Sequence, residues 1–251
     1  MIEHSVQDRI GEVVIDHPPV NALPAAGWFE LADVVRALGE REDVSVVVLR
    51  AEGKGFCAGV DIKELADDPD RSKIISVNRG CYATFKAVYE CAVPVIAAVH
   101  GFCLGGGIGL AGNADIIVAS DDATFGLPEV DRGALGAATH LARLVPQHRM
   151  RAMVYTAATA TAGELLAYGS VLRVVPREQL RDAAMEVARA IAAKSPTIIR
   201  RAKESLNGID PVDVNRSYRF EQGFTFELNL SGVSDEARDA FMDKRDPRYS
   251  K

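Results

Sequence analysis

The chain has little that would tie it to a metal, a membrane or a nucleic acid. Its four cysteines, Cys57, Cys81, Cys91 and Cys103, form no C-x-x-C pair. Each sits among apolar or small residues, the setting of a buried reduced thiol rather than of a ligand set or a disulfide framework. The five histidines are scattered and no H-E-x-x-H occurs, so no metal site is expected. No apolar run approaches the roughly 20 residues that span a bilayer, and residues 1–9 carry no signal-peptide core. A cytoplasmic protein without a membrane partner is therefore expected. Lysine and arginine (29) are outnumbered by aspartate and glutamate (35), a net charge of −6, so there is no overall pull toward nucleic acid. The nucleophile elbow G-x-S-x-G is also missing.

What is present is an alternation of strands and helices. Gly11 to His17 reads as a strand, broken by Pro18-Pro19 and Asn21. Trp28, Leu31, Ala32, Val35 and Leu38 then recur at helical spacing. Ser45 to Arg50 is a buried strand. Asp67 to Ser72 is polar, contains Pro69 and reads as a loop, Arg79 to Tyr89 reads as a helix, and Pro94 opens the next strand. Strand–helix–strand units before residue 120 predict an α/β core. Beyond residue 140 the pattern becomes mainly helical. Glu178 to Lys194 is amphipathic, Ser195-Pro196 is an N-cap and N1 pair for a helix over Thr197 to Asn207 with Gly208 as its stop, and Ser234 starts a last helix toward Phe241.

The most informative stretch is His100 to Gly109, with three successive glycines, Gly105, Gly106 and Gly107, between two apolar runs. Glycines there are costly unless the backbone itself must approach something. Bare N–H groups at a helix start suit a developing negative charge, because the first helical amides lack internal partners and face the positive end of the dipole. Gly107 to Gly112 also matches G-x-G-x-x-G. The next apolar run begins at about Ala114, which leaves no room for the crossover helix of a dinucleotide fold. Dinucleotide binding is not expected.

Gly55 to Glu64, Val95 to Ser120, Ala123 to Glu129, Ala142 to Leu144, Ser195 to Asn207 and Asp239 to Arg245, in this order, resemble the crotonases, the enoyl-CoA hydratase/isomerase family. The resemblance covers nearly the whole chain. It implies a spiral of repeated β-β-α units over residues 1–194 and a C-terminal helical region, 195–251, that builds a homotrimer or a dimer of trimers. It implies a coenzyme A thioester as substrate and no separate cofactor. By matched position the backbone N–H groups of Ala58 and Gly106 would hold the thioester oxygen. Ala58, Gly59, Val60, Asp61, Ile62 and Gly105 would lie along the CoA moiety, with Lys63 and Lys244 toward its phosphates.

The resemblance also marks a departure. A hydratase of this family works with two carboxylates, and the first of these positions is Gly109 here. The second is Glu129, a general base if burial raises its pKa. The aspartate of the dienoyl isomerase route falls on Ala137. Asp131, which could assist or pair with Arg132, and His140, which could serve as a second base or simply pack, complete the catalytic candidates. One carboxylate with an oxyanion hole fits two reactions: proton shuttling in Δ3-Δ2 enoyl isomerisation, and hydrolytic C–C cleavage in which a water attacks a ketone and the departing carbanion becomes a thioester enolate. Pro18 to Ala22, Arg79 to Cys81, Val88 to Pro94, Leu127 to His140 and Tyr218 to Leu228 resemble a subgroup that opens a ring of a cyclic keto acyl-CoA in sterol degradation. Ring hydrolysis is the expected activity. An enoyl-CoA isomerase or hydratase is the alternative, and a catalytically silent CoA-binding scaffold is the non-enzymatic one.

Overall fold

The computed structural model describes residues 1–66 and 72–248. The chain opens with β1 (Ile2–Gln7), β2 (Ile10–Ile15), β3 (Ala22–Leu23) and α1 (Ala25–Glu40). It continues through β4 (Val46–Ala51), β5 (Gly59–Val60), α2 (Ile62–Ala66) and α3 (Ser72–Tyr89). β6 (Val95–Val99), β7 (Phe102–Leu104) and α4 (Gly106–Asn113) form the next turn. β8 (Ile116–Ser120) and β9 (Thr124–Gly126) lead into a 3-10 helix at Pro128–Arg132, then α5 (Ala138–Leu141) and α6 (Gln147–Thr156). β10 (Thr159–Thr161), α7 (Ala162–Tyr168) and β11 (Arg173–Val175) precede α8 (Leu180–Ala192), α9 (Pro196–Gly208), α10 (Val214–Leu230) and α11 (Val233–Met242).

The spiral is visible in the pairing. After the β1-β2 hairpin, successive turns each add a strand to a six-stranded sheet ordered β1-β2-β4-β6-β8-β11, and the short strands between them fall in two smaller sheets, β3-β5 and β10-β9-β7. β1 pairs antiparallel with β2, and every later neighbour in the large sheet is parallel. Parallel strands need both faces covered, and their side chains alternate between the two faces. Val47, Leu49, Val95, Ala97 and Val99 therefore point into the main core with Trp28, Leu31 and Val35 of α1. Val46, Val48, Ile96, Ala98 and Val118 point the other way and are sealed by Leu180, Ala183, Ala184 and Ala188 of α8. Arg181 pins this cover by bonding both carboxylate oxygens of Glu12 on β2. Those bonds, joined by one from Arg50, bring the Glu12 carboxyl down to about 2.

Several boundaries differ from the sequence reading. Of the loop expected over Asp67 to Ser72, positions 67–71 lie outside the described residues, and Ser72 already opens α3, one face of which is buried from Ile74 onward. Ser195 stands at the N-cap of α9, but its side chain makes no capping bond, and Gly208 closes the helix from inside, with Ile209 as the cap. α10 was not foreseen. α4 is eight residues long, too short for a dinucleotide crossover. Among the described residues, no helix is long and apolar enough to cross a membrane, and no group of His, Cys, Asp and Glu could hold a metal ion.

Candidate active site

A cavity of about 110 Å³ lies where the glycine run meets the C-terminal helices. Ala58, Gly59, Val60 and Ile62 form one wall, Gly106 and Glu129 the floor, and Arg132 to Ala134 a rim. Asn229 of α10 and Ser234 and Arg238 of α11 close it. The site thus draws on both sides of the boundary expected at residues 194 and 195.

The floor is set by backbone constraints. Gly105 has φ +56, and a Cβ there would stand 2.5 Å from Oε1 of Glu129. The carboxyl group therefore lies directly over the glycine run, which only a residue without a side chain tolerates. Gly106 opens α4, and its N–H has no internal acceptor, as expected of a first helical residue. The Ala58 N–H lines the same cavity but is engaged, donating to the Val20 carbonyl at 3.2 Å. Beneath this wall Cys57 is fully buried and accepts a weak bond from the Gly59 N–H. Desolvation pushes its thiol up to about 12, so it is inert as a nucleophile.

Glu129 sits on the Pro128–Arg132 turn, which Gly133 ends in the left-handed region. The residue is half-buried as a whole, but Oε2 is shut off from solvent and has no hydrogen-bond partner. Burial raises its pKa from 4.5 to about 8, against the opposing pull of its own backbone amide and, less, of Arg132. A carboxyl poised near neutrality beside a free backbone donor suits proton transfer.

The other sequence candidates are dispersed. Asp131 is exposed on the outer side of the same turn and does not line the cavity. It forms no salt bridge with Arg132. His140 is fully buried behind α4, with ring centroids 4.9 Å from Phe85 and 4.8 Å from Tyr218. Both of its ring nitrogens lack partners, and burial lowers its pKa to about 3, so it is a neutral packing residue outside the cavity lining. Asp61 turns back to accept the Lys63 N–H at 3.0 Å, and Lys63 and Lys244 are exposed. Ala137 is buried with φ +62, and Glu221 caps the following helix through the Ala138 and Thr139 amides.

Gly109 carries the decisive packing. A Cβ at this position would come within 2.2 Å of the Phe85 ring. Phe85 packs edge-on against Trp28 at 5.6 Å and against His140. The space a second carboxylate would need is occupied by an aromatic ring. Sequence reasoning missed Phe85 and the cavity position of Arg132. The second had a signal: residues i and i+3 eclipse on a 3-10 helix, so Arg132 must share a face with Glu129 once Pro128–Arg132 winds that way.

Fold and site together define a crotonase: the chain belongs to the enoyl-CoA hydratase/isomerase family, which it matches over residues 5–251. A Rhodococcus jostii (strain RHA1) protein named (7aS)-7a-methyl-1,5-dioxo-2,3,5,6,7,7a-hexahydro-1H-indene-carboxyl-CoA hydrolase is 64% identical over 241 residues, 96% of this chain and 93% of that protein. A Mycobacterium tuberculosis (strain ATCC 25618 / H37Rv) protein of the same name is 65% identical over 232 residues, 92% of this chain and 94% of that one. Among solved structures, an enoyl-CoA hydratase/isomerase from Pseudoalteromonas atlantica T6c superposes with a TM-score of 0.89 at 26% identity, covering 99% of each chain.

Proposed function

We propose that this protein is an acyl-CoA ring hydrolase that cleaves a C–C bond of a cyclic keto acyl-CoA, in the degradation of the last rings of a sterol. The observation that carries this reading is the Phe85 ring in the place of the second carboxylate, which leaves Glu129 as the only carboxylate among the described residues that line the cavity. Syn-hydration in this family uses two such groups, whereas hydrolysis of a ring ketone needs one base and a sink for electrons. The names and high identity of the Rhodococcus and Mycobacterium relatives support the same substrate class. In this reading Glu129 takes a proton from water, the water oxygen adds to the ring ketone, and the ring C–C bond breaks. Its electron pair passes into the thioester, whose oxygen accepts from Gly106 and, once Val20 is displaced, from Ala58. Hydrogen bonds of this kind to a developing oxyanion are worth about 3–4 kcal/mol each in well-studied cases.

The C-terminal helices leave Ile198, Leu206, Ile209, Phe220, Leu230 and Val233 exposed, which fits an assembly of like subunits. A homotrimer or dimer of trimers belongs to the same proposal. The test is incubation with a cyclic keto acyl-CoA and, separately, crotonyl-CoA in oxygen-labelled water. Label in a new carboxylate is the expected result. Rapid hydration of crotonyl-CoA with no ring opening would overturn the reading.

A further inference from the structure

Arg132 is a charged group of this cavity that no hydrogen bond or salt bridge from a described residue satisfies. It leaves the Pro128–Arg132 turn on the same face as Glu129, and both line the cavity. Its Nε is closed to solvent without an acceptor, and its guanidinium lies 4.5 Å above the Phe241 ring. Among the described residues it has neither a salt bridge nor a hydrogen bond, although the charges of Glu129 and Asp131 both act on it. Other part-buried guanidiniums are engaged: Arg50 by Glu12, Arg143 by Asp210 and Arg149 by Glu164. Among the described residues its close partner is an aromatic face rather than a carboxylate, so the cost of part-burying the charge is offset incompletely. That arrangement suits an anion that comes with the substrate or forms during the reaction.

We propose that Arg132 is a second anion site of the reaction, holding the ring-ketone oxygen as it becomes a tetrahedral alkoxide and then the carboxylate that ring opening creates. The proposal rests on the ring-hydrolase reading above. The balance is complete without a further reactant. Glu129 removes one proton from water, and the new C–O bond turns the ketone into an alkoxide beside Arg132. As the alkoxide reforms a C=O bond, the adjacent C–C bond breaks and its pair becomes the thioester enolate at Gly106. Glu129 returns its proton to the enolate system at carbon. The new carboxylic acid loses its remaining proton to solvent and stays paired with Arg132 until release. The two charges thus form in turn at two separate donors, and an acyl chain without a second carbonyl leaves Arg132 idle. Arg132 is then a specificity determinant as well as a catalytic residue.

The test compares wild type with Arg132→Gln and Arg132→Lys after thermal melts show both variants folded. Turnover of the cyclic keto acyl-CoA is expected to fall roughly 10²–10³-fold in Arg132→Gln, with partial recovery in Arg132→Lys, while KM changes severalfold at most. Calorimetry adds an arm independent of turnover. Wild type should bind glutaryl-CoA, which ends in a carboxylate, at least about tenfold more tightly than pentanoyl-CoA, and Arg132→Gln should bind the two alike. Wild-type turnover in Arg132→Gln, or equal binding of the two esters by wild type, overturns the proposal. Failure of wild type to open any cyclic keto ester sinks the ring-hydrolase reading instead, and the calorimetric arm still decides whether Arg132 is an anion site.

Discussion

Replacing Glu129 by Gln should stabilise the protein at alkaline pH while abolishing its turnover. Burial raises the Glu129 pKa from 4.5 to about 8. Between those values the folded protein holds a proton that the unfolded chain has released. Stability therefore falls as pH rises through this window, by up to about 1.4 kcal/mol per pH unit, and is lowest above about pH 8. The full shift sets a ceiling of about 5 kcal/mol. The residue is only half-buried, and its solvent contact reduces the working figure to about 2 kcal/mol. Glutamine, which never ionises, removes that cost. For a chain of this length about 2 kcal/mol corresponds to roughly 4–8 °C. Thermal melts at about pH 5 should nearly coincide for the two proteins, and at about pH 8 the variant should melt higher by that margin. A difference that does not change with pH, or a variant less stable at about pH 8, would refute the argument that burial sets this carboxyl. On the catalytic side, kcat/KM of the wild type should rise with pH to a plateau above about 8. The variant should lose at least about 100-fold in turnover and keep its affinity for CoA esters within severalfold.

Gly109→Glu should not restore a hydratase. Its Cβ would strike the Phe85 ring, and overpacking of this kind costs about 1–3 kcal/mol or more; a denaturant melt checks the cost, and combining it with Phe85→Ala should recover part of it. His140→Leu should flatten the acid limb of stability. The unfolded histidine gains a proton below about pH 6.5 while the buried ring resists down to about 3, so wild type loses stability as pH falls through that window and the variant does not, as a pH series of melts would show. Glu12→Gln should lose the stability that its depressed carboxyl supplies above about pH 4.5, with Arg50 and Arg181 left unpaired, and its melting point should approach that of wild type as pH drops toward 2. Lys203→Ala should destabilise by about 3 kcal/mol, because the buried ammonium is bonded to both oxygens of Asp115, and chemical denaturation measures the loss.

Glu129 was legible because Phe125-Gly126-Leu127-Pro128-Glu129 carries a family pattern in consecutive residues. Gly109 was legible as an absence for the same reason, but not as Phe85, which meets it from another helix. Strand β4 could be read because Val46 to Leu49 are apolar on both faces. α10 could not: its buried positions are Val214, Tyr218, Gln222, Thr225 and Asn229, helical in spacing but polar at three of the five, so no apolar stripe betrays the helix. Gln222 is buried because it bonds Asn78 of α3. His140 stayed open in the sequence between a second base and a packing residue, because its type suggests chemistry while the rings of Phe85 and Tyr218 that surround it come from other helices.

The cavity joins Ala58 and Gly59 from the first third of the chain to Asn229, Ser234 and Arg238 from its last turns. No early fragment contains the site. On a ribosome the wall beside the glycine run emerges long before the helices that close it, so the nascent spiral exposes an unfinished pocket until α10 and α11 dock. Catalytic competence then requires α10 and α11 in place, and on refolding the return of activity should lag the return of sheet and helix signal.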